Sequence, residues 1–409
     1  MKSQLMLASE IQEVLEYQTE FLHEIPEGTP REVTGKVRLS DHHIRILTGI
    51  RRCGKSTVLL QIARKYPHFN YLSFEDPRLS AFGVNDFFKL EKLFGSTGSP
   101  ELFFFDEIQN VDGWEKYVRV LHDKKRKVIV TGSNAKMLSK ELGTSLTGRQ
   151  ISIEVFPFSY REYLAHLNLK AGPESFSAYF ETGGMPEFLN TQNRDVLLNL
   201  YNDLIYRDIV VRHGLRNPKT VRELGVYLAT NIGKEFSFNS LSKAFELGSS
   251  NTMASYLSYF EDAYLFFAVP RFSYSLKQQA KNPKKIYGID TGLIKLLSMS
   301  FSRDQGRLLE NLVYIHFKRL GKDIFYYRQK GECDFIIASG RKVEMAVQVC
   351  YDLNSDNLQR EINGLNEAIR ELDLSEGFIF TFKQEDELEK NGKVIHILPV
   401  WKWMNQWPA

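Results

Sequence analysis

Gly49-Ile50-Arg51-Arg52-Cys53-Gly54-Lys55-Ser56 follows the short apolar run Ile44-Arg45-Ile46-Leu47 and leads into a segment, Ser56 to Tyr66, with apolar residues at Val58, Leu59, Ile62 and Ala63. The octet is glycine, four residues, glycine, lysine, serine, set between a strand and a helix, which is the setting of a phosphate-binding loop. Gly49 and Gly54 let the backbone curl so that the N–H groups of Ile50, Arg51, Arg52, Cys53 and Lys55 point inward at an anion. The following helix, with Thr57 in its first turn, aims its positive end at the same place. In this reading Lys55 gives a point charge to the β- and γ-phosphates of ATP, and the Ser56 hydroxyl ligates Mg²⁺.

Some fifty residues on, Leu102-Phe103-Phe104-Phe105 ends in Asp106-Glu107. A buried strand closed by two carboxylates is the Walker B arrangement. Asp106 is expected to hold the Mg²⁺, and Glu107 to orient and deprotonate the attacking water. Thr131-Gly132-Ser133-Asn134 ends the next strand. In a parallel sheet the site lies at the carboxyl ends of the strands, so Asn134 or Ser133 is the expected sensor of the γ-phosphate or water.

Outward from these motifs a strand–helix rhythm begins near residue 41: Asn70 to Phe74 as strand, Phe87 to Phe94 as helix, Trp114 to Asp123 as helix, Val128 to Thr131 as strand. Such alternation predicts a parallel sheet covered on both faces. A helix from Glu10 to His23 and a polar connection, Ile25-Pro26-Glu27-Gly28-Thr29-Pro30, precede it.

Taken with Thr131-Gly132-Ser133-Asn134-Ala135-Lys136-Met137-Leu138, Leu146-Thr147-Gly148-Arg149, Phe156-Pro157-Phe158-Ser159-Tyr160-Arg161-Glu162-Tyr163 and Gly183-Gly184-Met185-Pro186, the two nucleotide motifs resemble the bacterial and archaeal AAA-family ATPases that carry a C-terminal domain of unknown function. The resemblance covers nearly the whole chain. It implies an AAA+ core, a helical and winged-helix middle and a nuclease-like C-terminal fold. The expected fold class is α/β: a P-loop NTPase parallel sheet with helices on both faces, then that middle, then an α/β restriction-endonuclease-like domain. The expected divisions are 1–40, an N-terminal helix and linker; 41–165, the ATPase core; 166–215, a helical lid; 216–300, the winged helix; and 301–409, the nuclease-like domain. An AAA+ core also demands an arginine for the γ-phosphate. Arg149 is the first candidate and Arg207, in Tyr206-Arg207-Asp208, the second.

Cys53 inside the loop sits where a helix N-terminus lowers thiol pKa, although a small residue that simply fits is the favoured reading. In the middle, helices at Thr220 to Ile232, Asn239 to Phe245 and Ser250 to Phe260, followed by a strand at Leu265 to Phe272, have the order of a winged helix-turn-helix, a module that docks its third helix in DNA. That third helix offers no Lys or Arg in Ser250-Asn251-Thr252-Met253-Ala254-Ser255-Tyr256. Phosphate contacts are therefore expected from the 271–285 loop: Arg271, Lys277, Lys281, Lys284 and Lys285.

The tail places Glu310 on a helix, Asp334 on a strand and Gln348-Val349-Cys350 on the next, where a restriction-endonuclease-like site would carry Glu-x-Lys. Gln is a poor ligand for a hard cation and Cys does not replace an ammonium, so a nuclease is disfavoured. Glu344 lies on the same strand face but has no Lys two residues on.

Composition sets broad limits. The 409 residues allow two to four domains at about 100–200 residues each. The 53 basic and 50 acidic residues give a net charge of +3, which selects no partner class by itself. No apolar run reaches the roughly 18–20 residues of a membrane span. Three cysteines without CxxC spacing argue against a disulfide framework or a zinc site. A cytoplasmic protein is the expectation. The leading functional reading is ATP turnover coupled to DNA or a DNA-associated partner, with homo-oligomers allowed. The rival is an ATP-dependent switch acting on a protein partner without DNA.

Overall fold

The computed structural model describes residues 6–95, 101–133, 148–299, 304–390 and 392–407. The chain divides into two compact units, Met1–Val155 and Phe156–Ala409.

The first unit opens with α1 (Ala8–Glu24), then β1 (Ile44–Thr48), α2 (Lys55–Ala63), β2 (Asn70–Ser73), α3 (Phe87–Gly95), β3 (Leu102–Asp106), α4 (Trp114–Asp123), β4 (Lys127–Gly132) and β5 (Gln150–Glu154). The five strands form one parallel sheet in the order β2-β3-β4-β1-β5. Every residue of β1 and β3 is buried, the pattern of strands covered on both faces. α4 shows how a helix seats itself: Trp114, Tyr117, Val118 and Leu121 recur at helical spacing and are the buried ones. They join Ile44, Ile46, Phe103, Phe105 and Val130 from the strands, with Ile11 and Val14 from α1, in one apolar core. Strand β5 was not foreseen from sequence. Its partner is β1, about a hundred residues earlier, and its own residues are partly exposed.

The second unit begins with α5 (Tyr160–Leu167), α6 (Pro173–Thr182), α7 (Pro186–Thr191) and α8 (Arg194–Asp203). A π-helical segment, Leu204–Val211, continues directly from α8. Then come α9 (Pro218–Thr230), β6 (Glu235–Phe236), α10 (Phe238–Ala244), α11 (Ser250–Asp262), β7 (Phe266–Pro270), α12 (Leu276–Lys281) and β8 (Lys284–Gly288). The three short strands make an antiparallel sheet, β6-β8-β7. The connection from β7 to β8 holds the short helix α12, where a bare loop was expected.

After α13 (Thr291–Leu297) and α14 (Gln305–Arg319) come β9 (Asp323–Arg328), β10 (Glu332–Ser339), β11 (Lys342–Cys350), α15 (Leu358–Glu371), β12 (Glu376–Thr381), β13 (Asp386–Lys390), β14 (Lys393–Pro399) and α16 (Val400–Gln406). The six strands form a mixed sheet in the order β13-β14-β12-β11-β10-β9. α15 lays Ile362, Leu365, Ala368 and Ile369 on it. The mixed sheet with its helices is the further domain expected after the helical middle.

Candidate functional site

The carboxyl ends of β1, β4 and β3, adjacent in that order, carry the loop at 49–54, Thr131 to Ser133, and Asp106-Glu107. Parallel pairing alone therefore brings the two motifs to one edge. In the loop, Gly49 has φ +152° and a Cβ there would lie 2.0 Å from the Val155 carbonyl oxygen. Gly54 has φ +96° and N-caps α2, and a Cβ there would lie 2.9 Å from the Arg31 guanidinium. Both positions need glycine for a close approach as well as for their backbone angles.

Lys55 is 4% exposed, and its Nζ donates to the carbonyls of Gly49 and Ile50 at 3.3 Å each. It lies 3.7 Å from Glu107 Oε1. The Ser56 hydroxyl helps to hold down the pKa of the Asp106 carboxyl. Thr131 Oγ1 donates to Asp106 Oδ1 at 2.6 Å and accepts from the Glu107 N–H at 2.8 Å. Glu107 itself has φ +48°, an uncommon conformation for a non-glycine residue and one that turns the chain away at the strand end. Its carboxylate also accepts from Gln109 Nε2. Burial pushes the Asp106 carboxyl up to about 6, with the Glu107 charge adding to it, while the Thr131 and Ser56 hydrogen bonds hold it down.

The Ser56 hydroxyl and the Asp106 carboxylate are hard oxygen donors of the kind that suits Mg²⁺. Among the described residues the buried Ser133 hydroxyl, at the end of β4, has no hydrogen-bond partner. The residues present thus fit a magnesium–nucleotide ligand at this edge.

Thr131, which sequence reading treated only as a strand end, couples the two carboxylate residues. Thr131→Val is expected to strip Asp106 of a donor and leave the Glu107 N–H unpaired. A loss of about 10–100-fold in turnover is expected, as for outer partners of metal ligands, with Thr131→Ser restoring it. Steady-state ATPase assays would check this, and an unchanged rate for Thr131→Val would make the contact merely structural.

Arg31 is a second residue that motif reading missed. It is buried, and its Nη1 donates to the Cys53 carbonyl at 2.8 Å, bracing the loop from outside. Cys53 is fully buried, its thiol donating to the Val155 carbonyl at 3.2 Å, and burial pushes its pKa up. The helix terminus does not activate it, and the small-residue reading holds.

Asn134 lies outside the described residues. Arg149 is described, and it is not at this edge. Its carbonyl accepts from the Ile44 N–H, and it immediately precedes β5, whose Gln150 pairs with Ile44 at the amino end of β1. Four residues of strand, about 13 Å, separate that end from the loop. Arg207 sits exposed in the π-helical segment of the second unit.

A second polar cluster lies in the second unit. Lys285 was expected on an exposed basic loop. Instead it is 3% exposed on β8, with its Nζ 3.1 Å from Glu310 Oε1, 3.0 Å from Asp334 Oδ1 and 2.9 Å from Glu332 Oε1. Tyr287 Oη donates to Glu310 Oε1 at 2.6 Å. Glu310 and Asp334 do meet, as foreseen, but across an ammonium that local sequence could not place there. Gln348 donates to Glu361 Oε2 at 2.6 Å, and Cys350 is a buried thiol. Glu344 is drawn off to Lys322 at 2.6 Å. Among the described residues no three His, Cys, Asp or Glu side chains are grouped as ligands for a metal ion.

Comparison with known proteins follows these lines. Residues 41–164 match the AAA domain family, and residues 173–304 match a domain of unknown function, DUF8612. The uncharacterized protein MJ1544 of Methanocaldococcus jannaschii is 34% identical over 402 residues, which is 90% of this chain and 89% of that protein. An uncharacterized protein of Haemophilus influenzae is 27% identical over 387 residues, 89% of this chain and 94% of that protein. The structure of AMPPCP-bound DnaA from Aquifex aeolicus matches at a TM-score of 0.26 and 14% identity, covering 59% of this chain and 90% of that one. No described helix is long and apolar enough to cross a membrane.

Proposed function

This chain belongs to the family of Methanocaldococcus jannaschii MJ1544, with an AAA domain at residues 41–164, and from that premise we propose that it binds ATP at the 49–57 loop and hydrolyses it. The observation that carries the proposal is the convergence of Lys55, Asp106 and Glu107, the last two tied through Thr131, at one edge of a parallel sheet. In this reading the inward backbone N–H groups of 49–57 hold the phosphates and Lys55 neutralises the transferred group. Ser56 and Asp106 would hold Mg²⁺, which would supply positive charge to offset that of the phosphates. Glu107 takes the proton of the attacking water, and Thr131 keeps both carboxylate residues in place. Asn134 remains the proposed sensor. Arg149, at the far end of β5, serves only if it reaches a neighbouring copy's site, as does Arg207.

We further propose that turnover is coupled to DNA. The support is the order α9-β6-α10-α11-β7-β8 with sheet order β6-β8-β7, which we read as a winged helix within a 216–300 segment. Its connection from β7 to β8 carries Lys277 and Lys281 exposed and Arg271 half-buried, while on β8 Lys284 is half-buried and Lys285 withdrawn. The mixed sheet beyond residue 301 is read as a nuclease-like scaffold without the nuclease, because an ammonium stands between Glu310 and Asp334.

The test is ATP hydrolysis by the full chain with and without single- and double-stranded DNA, with Lys55→Ala as control. Turnover that rises with DNA and disappears in the control and at high salt is the expected result. Turnover indifferent to DNA, with no DNA bound in any nucleotide state, would leave the ATPase standing and turn the search toward a protein partner.

A further inference from the structure

From residue 263 to residue 289 the chain contains no Asp or Glu. Within that stretch, Tyr274 is 81% exposed and Leu276 79%, more than any other large hydrophobic side chain among the described residues. Disorder does not account for this exposure, because the connection is tied down by its own hydrogen bonds. Ser273 Oγ donates to Gln278 Oε1 at 2.8 Å, and Gln279 Nε2 donates to the Ser273 carbonyl at 2.6 Å. Ser275 caps α12 by accepting from the Gln278 N–H. Lys284 Nζ donates to the Gln279 carbonyl at 3.1 Å. From below, Phe272 meets the Tyr274 ring edge-on at 5.2 Å and packs edge-on against Phe325 at 5.6 Å. Lys277 and Lys281, four apart on α12 and both exposed, share a face of the helix that Leu276 opens.

Two exposed hydrophobic side chains held out by a rigid frame, in a stretch whose only charged residues are cations, have a recognisable chemistry. Two side chains are far too few for a protein interface of about 800 Å² per partner. They do suit a flat apolar surface carried on a polyanion, which is what the bases of a nucleic acid are. Their faces are open to a stacking ring only where the strand is single or unpaired. We propose that Tyr274 and Leu276 form a tip that stacks on unpaired bases, while Lys277 and Lys281 neutralise the adjoining phosphates. The proposal rests on the nucleic-acid reading above and makes it specific: the preferred ligand is single-stranded or locally opened.

Fluorescence anisotropy of labelled single strands and duplexes against the full chain tests it. Tyr274→Ala should weaken single-strand binding about tenfold or more and duplex binding much less, while Tyr274→Phe stays near wild type. The Lys277→Gln/Lys281→Gln pair should flatten the dependence of log affinity on log salt by about 1.4, the share of two phosphates on a single strand. All four side chains are exposed, so the fold should persist. If the wild type binds single strands and Tyr274→Ala binds them equally well, the stacking tip is wrong and the DNA reading survives. If the wild type binds neither form, the DNA reading itself falls. Tyr274-dependent binding to phosphatidylserine vesicles, with none to DNA, would replace the partner by a lipid surface.

Discussion

Glu107→Gln is expected to leave ATP binding intact and to slow turnover about 10²–10⁴-fold, the worth of a positioned general base. The substitution keeps size, shape and most hydrogen bonding. Its backbone N–H still reaches Thr131, and the left-handed turn at φ +48° is no harder for Gln than for Glu. What disappears is the acceptor for a water proton and the carboxylate facing Lys55 at 3.7 Å. Release from that pair leaves the Lys55 ammonium less neutralised, so affinity for the triphosphate should hold or rise. Equilibrium binding of a fluorescent ATP analogue, beside single-turnover hydrolysis, separates the two. A fall in binding that matches the fall in rate would assign Glu107 to holding the nucleotide. An unchanged rate would mean that the base lies elsewhere.

The nucleotide edge could be read from the chain because its determinants are local. A glycine-bounded loop between strand and helix, and two acids closing an apolar strand, each declare their place without knowledge of distant contacts. Parallel pairing then supplies the rest. Thr131 and Arg31 were invisible for the opposite reason. One acts by lying beside β3 in the sheet, the other by reaching the loop from a segment more than twenty residues upstream. Arg149 carried a plausible motif but lies at the amino end of β5, a strand whose pairing with β1 no local pattern announces. The run Lys284-Lys285 shows the limit most plainly. Two adjacent lysines on a strand point to opposite faces, so one can serve a solvent-facing surface while its neighbour enters the core. Composition counts both as surface charge.

That second lysine leads to the other large effect. Lys285→Met should destabilise the second unit by about 3–5 kcal/mol, the cost of removing one partner from a buried ion pair. The loss should depend on pH. Burial, then the Asp334 charge, pushes the Glu310 carboxyl from 4.5 up to about 7, against the pull of Lys285. A carboxyl whose pKa is raised on folding contributes its stability fully below the unfolded value, and that contribution is lost as pH rises through the folded one. Lys285 opposes this over the same window. The surrounding carboxylates hold its pKa well above 10.5, so its own contribution is present throughout and fades only in strong alkali. Without the ammonium, the cost of charging Glu310 beside Asp334 loses the cation that offsets it. The variant should therefore lie closest to wild type near pH 5 and fall furthest behind by pH 8, as urea unfolding at several pH values would read. Adding Glu310→Gln should recover much of the loss, because Asp334 then no longer faces a second buried carboxylate, and a double-mutant cycle would measure the coupling. A pH-independent loss that Glu310→Gln does not relieve would assign the role of Lys285 to its packed aliphatic stem. The reading of the Glu310–Asp334 pair as a site closed by an internal cation would then fail with it.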